Sequence, residues 1–233
     1  MADWMSERRE ERMYKNVLDN EEISTAAFNG VIGGVVLYGL LVNAAICYIF
    51  QDRMLYVNPI LLIVAYIVCC IAGTMLSAKS DNPILSFVGY NLVVVPVGLV
   101  VSISVYAYGG IGSEVVTQAF LITLLDTAVM VGISVIKPEW FGKLGGLLLI
   151  CLSGLIVAEI VLLILRVDQT ITAWIGAAIF SIYIGYDFQR AQLFPKTLDN
   201  AVDCALDIYL DVINLFLKIL RILGKAKGGS KRR

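Results

Sequence analysis

The sequence predicts an all-α membrane protein: six transmembrane helices around a polar, central seventh helix at the C-terminal end. Three observations predict it. Of 233 residues, 59% are hydrophobic and only 16% charged, against roughly 25% charged in a soluble domain, and the mean hydropathy is +0.83. Six apolar stretches of transmembrane length follow one another, separated by short turn-rich segments. A final stretch of similar length carries acids, an amide and a lysine at helical spacing.

A chain this apolar does not cover a water-facing surface, which argues against a cytosolic enzyme, a nucleic-acid binder and a disordered regulator. With 18 basic and 19 acidic residues the formal charge is −1, so there is no global basic field for nucleic acid. Histidine is absent. That removes histidine-based zinc sites, Ser-His and Cys-His nucleophiles, and the side chain that usually changes charge near neutral pH. Proton sensing then falls to carboxylates. No His-Glu metal motif, GxSxG or GxGD sequence occurs, so enzymatic activity is not expected.

Residues 1–29 hold Arg8, Arg9, Arg12 and Lys15 among seven acids, without the apolar core of a signal peptide. They are expected to form a short, charged, helical cytoplasmic arm. Residues 30–224 form the membrane domain. A crossing helix needs about 20 mostly apolar residues, and six stretches qualify: 30–50, 59–78, 83–106, 115–136, 144–165 and 171–188. Pro96 is an expected kink point in the third. Turn residues such as Asn82-Pro83, Gly109-Gly110 and Lys137-Pro138 separate the spans. A seventh segment, 200–223, is long enough to cross but polar, and 225–233 is a basic tail. Cys47, Cys69, Cys70, Cys151 and Cys204 all fall in apolar segments and read as small buried hydrophobes. Asn43 and Asn91 read as interhelical polar contacts.

Lys and Arg in short flanking segments set orientation. With the N-terminus inside, the inner segments before the last helix carry nine basic residues and the outer loops two. The tail, with Lys225, Lys227, Lys231, Arg232 and Arg233, also favours the inside. Six crossings plus a re-entrant or incompletely spanning last helix satisfy both counts, because polar segments at membrane depth are sheltered by protein or line a cavity.

The last helix carries the most information. Asp203, Asp207, Asp211, Asn214 and Lys218 follow at spacings of 4, 4, 3 and 4. At about 100° per residue they fall within roughly 80° of arc. Asn200 and Arg221 join this stripe. A charged side chain at membrane depth costs ~2.5–3.5 kcal/mol on insertion scales, so the stripe faces other helices or water and the helix belongs at the centre. Lys218, near the helix end, is expected to snorkel toward the interface. Asp126 and Glu159, inside the fourth and fifth spans, are further functional candidates. Asp187 ends the sixth span, and the short connection to the last helix makes the two antiparallel neighbours, so Asp187 and Asp211 can approach each other. Two carboxylates in a low-dielectric site cannot both ionise cheaply and share a proton. Deprotonated, they offer hard oxygens suited to Ca²⁺.

The C-terminal third reads Gly185-Tyr186-Asp187-Phe188-Gln189-Arg190, then Asp207-Ile208-Tyr209-Leu210-Asp211-Val212-Ile213-Asn214, then Leu220-Arg221-Ile222-Leu223-Gly224. Following six apolar spans, this pattern resembles the Bax-inhibitor (transmembrane Bax-inhibitor-motif) family, of bacterial type. The resemblance implies six helices wrapped around a central C-terminal helix and a pH-sensitive Ca²⁺ leak channel or transporter. It places a di-aspartyl pH sensor and Ca²⁺ site on Asp187 and Asp211. Bacterial members carry a latching arginine on the second helix; this span has none, and Lys79, just past its end, is the nearest basic candidate. The alternative the resemblance offers is a non-conducting regulator that binds a membrane protease or another membrane protein. Expected partners are therefore the lipid bilayer, Ca²⁺ and, in the alternative, a membrane protein, with no nucleic acid. No cofactor is expected beyond Ca²⁺ as transported or regulatory ion. The expected location is a bacterial plasma membrane, with the endoplasmic reticulum membrane as the alternative.

Overall fold

The computed structural model describes Glu11, Met13, Tyr14, and residues 21–50 and 58–230. Among these, seven long helices follow in order: α1 Thr25–Phe50, α2 Pro59–Lys79, α3 Pro83–Ala107, α4 Glu114–Ile136, α5 Gly145–Ile164, α6 Thr170–Ala191 and α7 Leu198–Ser230. A single helical turn, Pro138–Phe141, lies between α4 and α5. The first six helices are long and apolar enough to cross a membrane, as the sequence predicts. Arg8, Arg9, Arg12 and Lys15 of the expected arm, and Lys231, Arg232 and Arg233 of the tail, lie outside the described residues.

Helix starts follow local chemistry. Proline occupies the first position of α2, α3 and the single turn, where its missing N–H costs nothing. The Ser113 side chain accepts from the Val116 amide to cap α4. α1 begins earlier than the apolar run because the Ser24 hydroxyl accepts from the Ala27 amide. α3 continues unbroken through Pro96. α5 ends in a paired cap: the Arg166 amide donates to the Leu163 carbonyl (3.2 Å) and the Val167 amide to the Leu162 carbonyl (2.9 Å). This motif needs a left-handed residue, usually glycine; here Arg166 takes it, with φ of 55°.

The chain divides into two compact units, Met1–Tyr106 with Ala191–Tyr209, and Ala107–Arg190 with Leu210–Arg233. In the first, α2 and α3 approach closely at two glycines: a Cβ on Gly73 would lie 2.5 Å from the Gly89 carbonyl oxygen, and one on Gly89 would lie 2.6 Å from that of Gly73. Small residues permit such contact where lipid supplies no hydrophobic drive to associate. Tyr90 and Tyr209, both fully buried, meet edge to face at 5.5 Å. The Tyr90 hydroxyl donates to the Val35 carbonyl (2.8 Å), and the Asn43 amide donates to the Tyr209 hydroxyl (2.6 Å). Asn43 thus makes the expected interhelical contact, and so does Asn91, which accepts from the Tyr38 hydroxyl at 2.8 Å. Arm residue Met13 is buried, and its carbonyl accepts from the Asn200 side chain at 3.0 Å.

Most of α7 is buried. The apolar positions opposite the stripe are as buried as the stripe: Val212, Leu215 and Leu220 are buried along with Asp203 and Asp211. The helix is one unbroken element of 33 residues, about 50 Å at 1.5 Å per residue. Near its C-terminal end, Arg221 and Lys225 donate to Gln169 and Asp168, which flank the start of α6. Its own start follows the end of α6 by a short connection. Lys225 and Lys227 of the tail end have acidic partners, Asp168 and Glu114.

Candidate functional site

Within the first unit, the start of α7 carries a buried acidic group. Thr197 caps the helix by accepting from the Asn200 amide at 3.2 Å. Asp199 accepts from the Ser86 hydroxyl at 2.6 Å, and Asp203 accepts from the Ser77 hydroxyl. Both carboxylates are fully buried, in the first turns of a helix whose dipole favours negative charge. The Asn200 side chain donates to the Met13 and Pro195 carbonyls, both at 3.0 Å. Lys79 is exposed at the C-terminal end of α2. In the α6–α7 connection, the Lys196 ammonium donates to the Ala191 and Gln192 carbonyls and lies 4.6 Å from the centre of the Phe28 ring. Burial holds Lys196 below the ordinary lysine range.

The second unit holds Asp187 and Asp211. Asp211 is buried on α7. Asp187, near the end of α6, lies 3.9 Å from the Arg190 guanidinium one turn on. Tyr183 precedes Asp187 by one turn of α6, and its ring meets that of Tyr186 edge to face at 6.2 Å. Asp207, on the first unit's part of α7, is half-buried; Asn214 is half-buried and donates to the Leu210 carbonyl at 2.8 Å, within its own helix.

The remaining stripe residues form a ladder of contacts in this unit. Lys218 pairs with Glu159 of α5, and a Cβ on Gly176 would lie 2.9 Å from the lysine stem, so glycine there makes room for it. Lys218 therefore reaches an acid inside the protein, where the sequence suggested snorkelling. The Gln169 side chain donates to the Glu159 carbonyl (3.0 Å) and accepts from Arg221. Lys225 pairs with Asp168, and Lys227 with Glu114 at 2.6 Å. The Lys225 ammonium holds the Asp168 carboxyl below the usual carboxylate range. Asp126 of α4 accepts from the Ser181 hydroxyl of α6 at 2.8 Å. Its second oxygen is buried without a hydrogen-bond donor.

Sequence reasoning missed Asp199, Ser77, Ser86, Tyr183 and Gln169. The serines carried a usable signal: both flank the turn between α2 and α3, as small polar residues near the ends of apolar spans. Asp199 was overlooked because it precedes the stripe and lies off its arc.

Six long apolar helices and a polar seventh define an integral membrane protein of the helical class. The family described as "Inhibitor of apoptosis-promoting Bax1" matches residues 28–228, and the chain belongs to this Bax inhibitor family. It is 31% identical over 122 residues to an uncharacterized protein of Helicobacter pylori, a match covering 52% of this chain and 51% of that relative. The chain thus spans about half the length of that relative. An uncharacterized protein of Borreliella burgdorferi is 27% identical over 224 residues, covering 86% of this chain and 92% of the relative. Bax inhibitor 1 of Saccharomyces cerevisiae is 46% identical over 54 residues, covering 23% of this chain and 18% of the yeast protein.

Proposed function

We propose that this protein is a pH-sensitive Ca²⁺ leak channel or transporter of a bacterial plasma membrane, with Asp187 and Asp211 as its shared sensor and gate. The observation that carries this reading is that both acids are withdrawn from water on successive helices: Asp211 is buried on α7, and the Asp187 side chain near the end of α6 is only 12% exposed. Arg190 supplies the nearby positive charge. Paired carboxylates at low dielectric hold one proton between them. Losing it as pH rises adds a second negative charge, and the repulsion favours parting α6 from α7 unless a cation compensates. Ca²⁺ and the proton compete for the same oxygens. Among the described residues no three acidic or sulfur side chains converge, so Ca²⁺ at this pair takes most of its six to eight ligands from backbone carbonyls and water. That arrangement suits passage better than tight storage. Lys79 is the proposed latch, and Asp203, Asp207, Asn214, Lys218, Asp126 and Glu159 the polar lining.

Reconstituted Ca²⁺ flux in liposomes, measured across pH, tests this. Asp187→Asn and Asp211→Asn should each flatten the pH profile, and the double variant should add little, because the two act as one unit. A wild-type profile in both single variants removes the sensor role. Absence of flux from the wild-type protein would move it to the class of non-conducting regulators of a membrane protease.

A further inference from the structure

In the second unit, the ends of α5 and α7 and the α5–α6 turn enclose an open cavity of about 740 Å³. Its lining is unlike the rest of the membrane surface. Arg166, Arg221 and Lys225 bring three positive charges against the single negative charge of Asp168. Leu162, Leu163 and Val167 supply an apolar wall. Arg221 and Lys225 already have partners in Gln169 and Asp168. Arg166 has no ion-pair partner among the described residues and is exposed.

The backbone at Arg166 is the second observation. It occupies the left-handed position of the cap that ends α5, where glycine is favoured and a side chain is strained. An arginine held in that conformation, at the rim of a cavity with excess positive charge, has a use that its folding role does not supply. We propose that this cavity binds the phosphate of an anionic phospholipid headgroup, with Arg166 as the principal ligand. Guanidinium groups bind phosphate oxygens through a planar two-pronged contact. Arg221 and Lys225 add positive charge from the end of α7, and the acyl chains run against Leu163 and Val167, both well exposed. A free phosphate has no such use for the apolar wall, so the lipid is the favoured source. The site makes no use of Asp187 or Asp211.

The test uses the full-length protein in phosphatidylcholine nanodiscs doped with fluorescent phosphatidylglycerol, reading bound-lipid preference. Wild type should prefer phosphatidylglycerol. Arg166→Gly, which suits the backbone and so preserves the fold, should lose about fivefold of that preference, the typical worth of one cation near anionic lipid. Arg221→Gln should also reduce it. Lys143→Gln, outside the cavity, should not. No preference in the wild type, an unchanged preference in Arg166→Gly, or an equal loss in Lys143→Gln each overturns the proposal. Competition with millimolar glycerol phosphate separates the sources: retained lipid preference supports the lipid site, and full displacement assigns the cavity to free phosphate and overturns it.

Discussion

Lys218 of α7 reaches Glu159 of α5 inside the second unit, with only 12% and 24% of the two side chains exposed. Each charge would be costly at membrane depth alone, and each is neutralised by the other. Removing one partner leaves the other uncompensated. Glu159→Gln or Lys218→Met should therefore destabilise by about 2–4 kcal/mol, the partial exposure keeping the effect below the full range for buried pairs. The double replacement Glu159→Leu with Lys218→Met should cost less than the worse single change. Thermal unfolding in detergent measures this; equal costs for single and double variants would falsify the pairing.

Gly73 and Gly89 allow α2 and α3 to touch backbone to backbone. Gly73→Val or Gly89→Val should destabilise by roughly 1–3 kcal/mol, as overpacking does. A Cβ at Gly33 meets nothing within 4 Å, so Gly33→Ala is the control. Similar unfolding midpoints for all three variants would contradict the close approach.

At Arg166 the sign reverses. Replacing a left-handed arginine by glycine removes backbone strain of about 1 kcal/mol, offset in part by the greater freedom of glycine in the unfolded chain. Arg166→Gly should be neutral or modestly more stable in thermal melts, while Arg166→Val should be less stable. A large loss of stability in the glycine variant would mean that the side chain itself holds the turn.

The charge count sets the expected side of the tail. With the N-terminus inside, nine basic residues before the last helix lie inside against two outside, and the five of the tail favour the inside as well. Cysteines placed at Ser6 and Ser230 should label from the same face of the membrane. Labelling from opposite faces would establish seven full crossings and overturn the re-entrant reading of α7.

Much of this architecture was legible because membrane helices obey length and apolarity, which are additive along the chain. The six spans matched within a few residues, the differences arising at caps such as Ser24 and Ser113. The stripe on α7 was legible because Asp203, Asp211 and Lys218 cannot face lipid, and that argument needs only periodicity. Their partners were not legible. Ser77, Ser86 and Gln169 are ordinary polar residues until the fold brings them beside a carboxylate or guanidinium. Lys225 and Lys227 likewise count as free charges in the sequence, while in the fold they answer Asp168 and Glu114.

The burial of charged residues along α7 bears on biogenesis. Six of the helices are apolar enough to leave the translocon singly and wait in lipid. A helix carrying Asp199, Asp203, Asp207, Asp211, Lys218 and Arg221 cannot partition that way. It is synthesised after the others and enters the bilayer only as its partners receive it. Until then, the side chains that receive it, Ser77 and Ser86 in the first unit and Glu159 in the second, lack their partners on it. The nascent chain is thus most vulnerable to quality-control proteolysis just before its last helix docks, and variants that weaken those receiving side chains should lower the amount of protein made before they alter what the finished protein does.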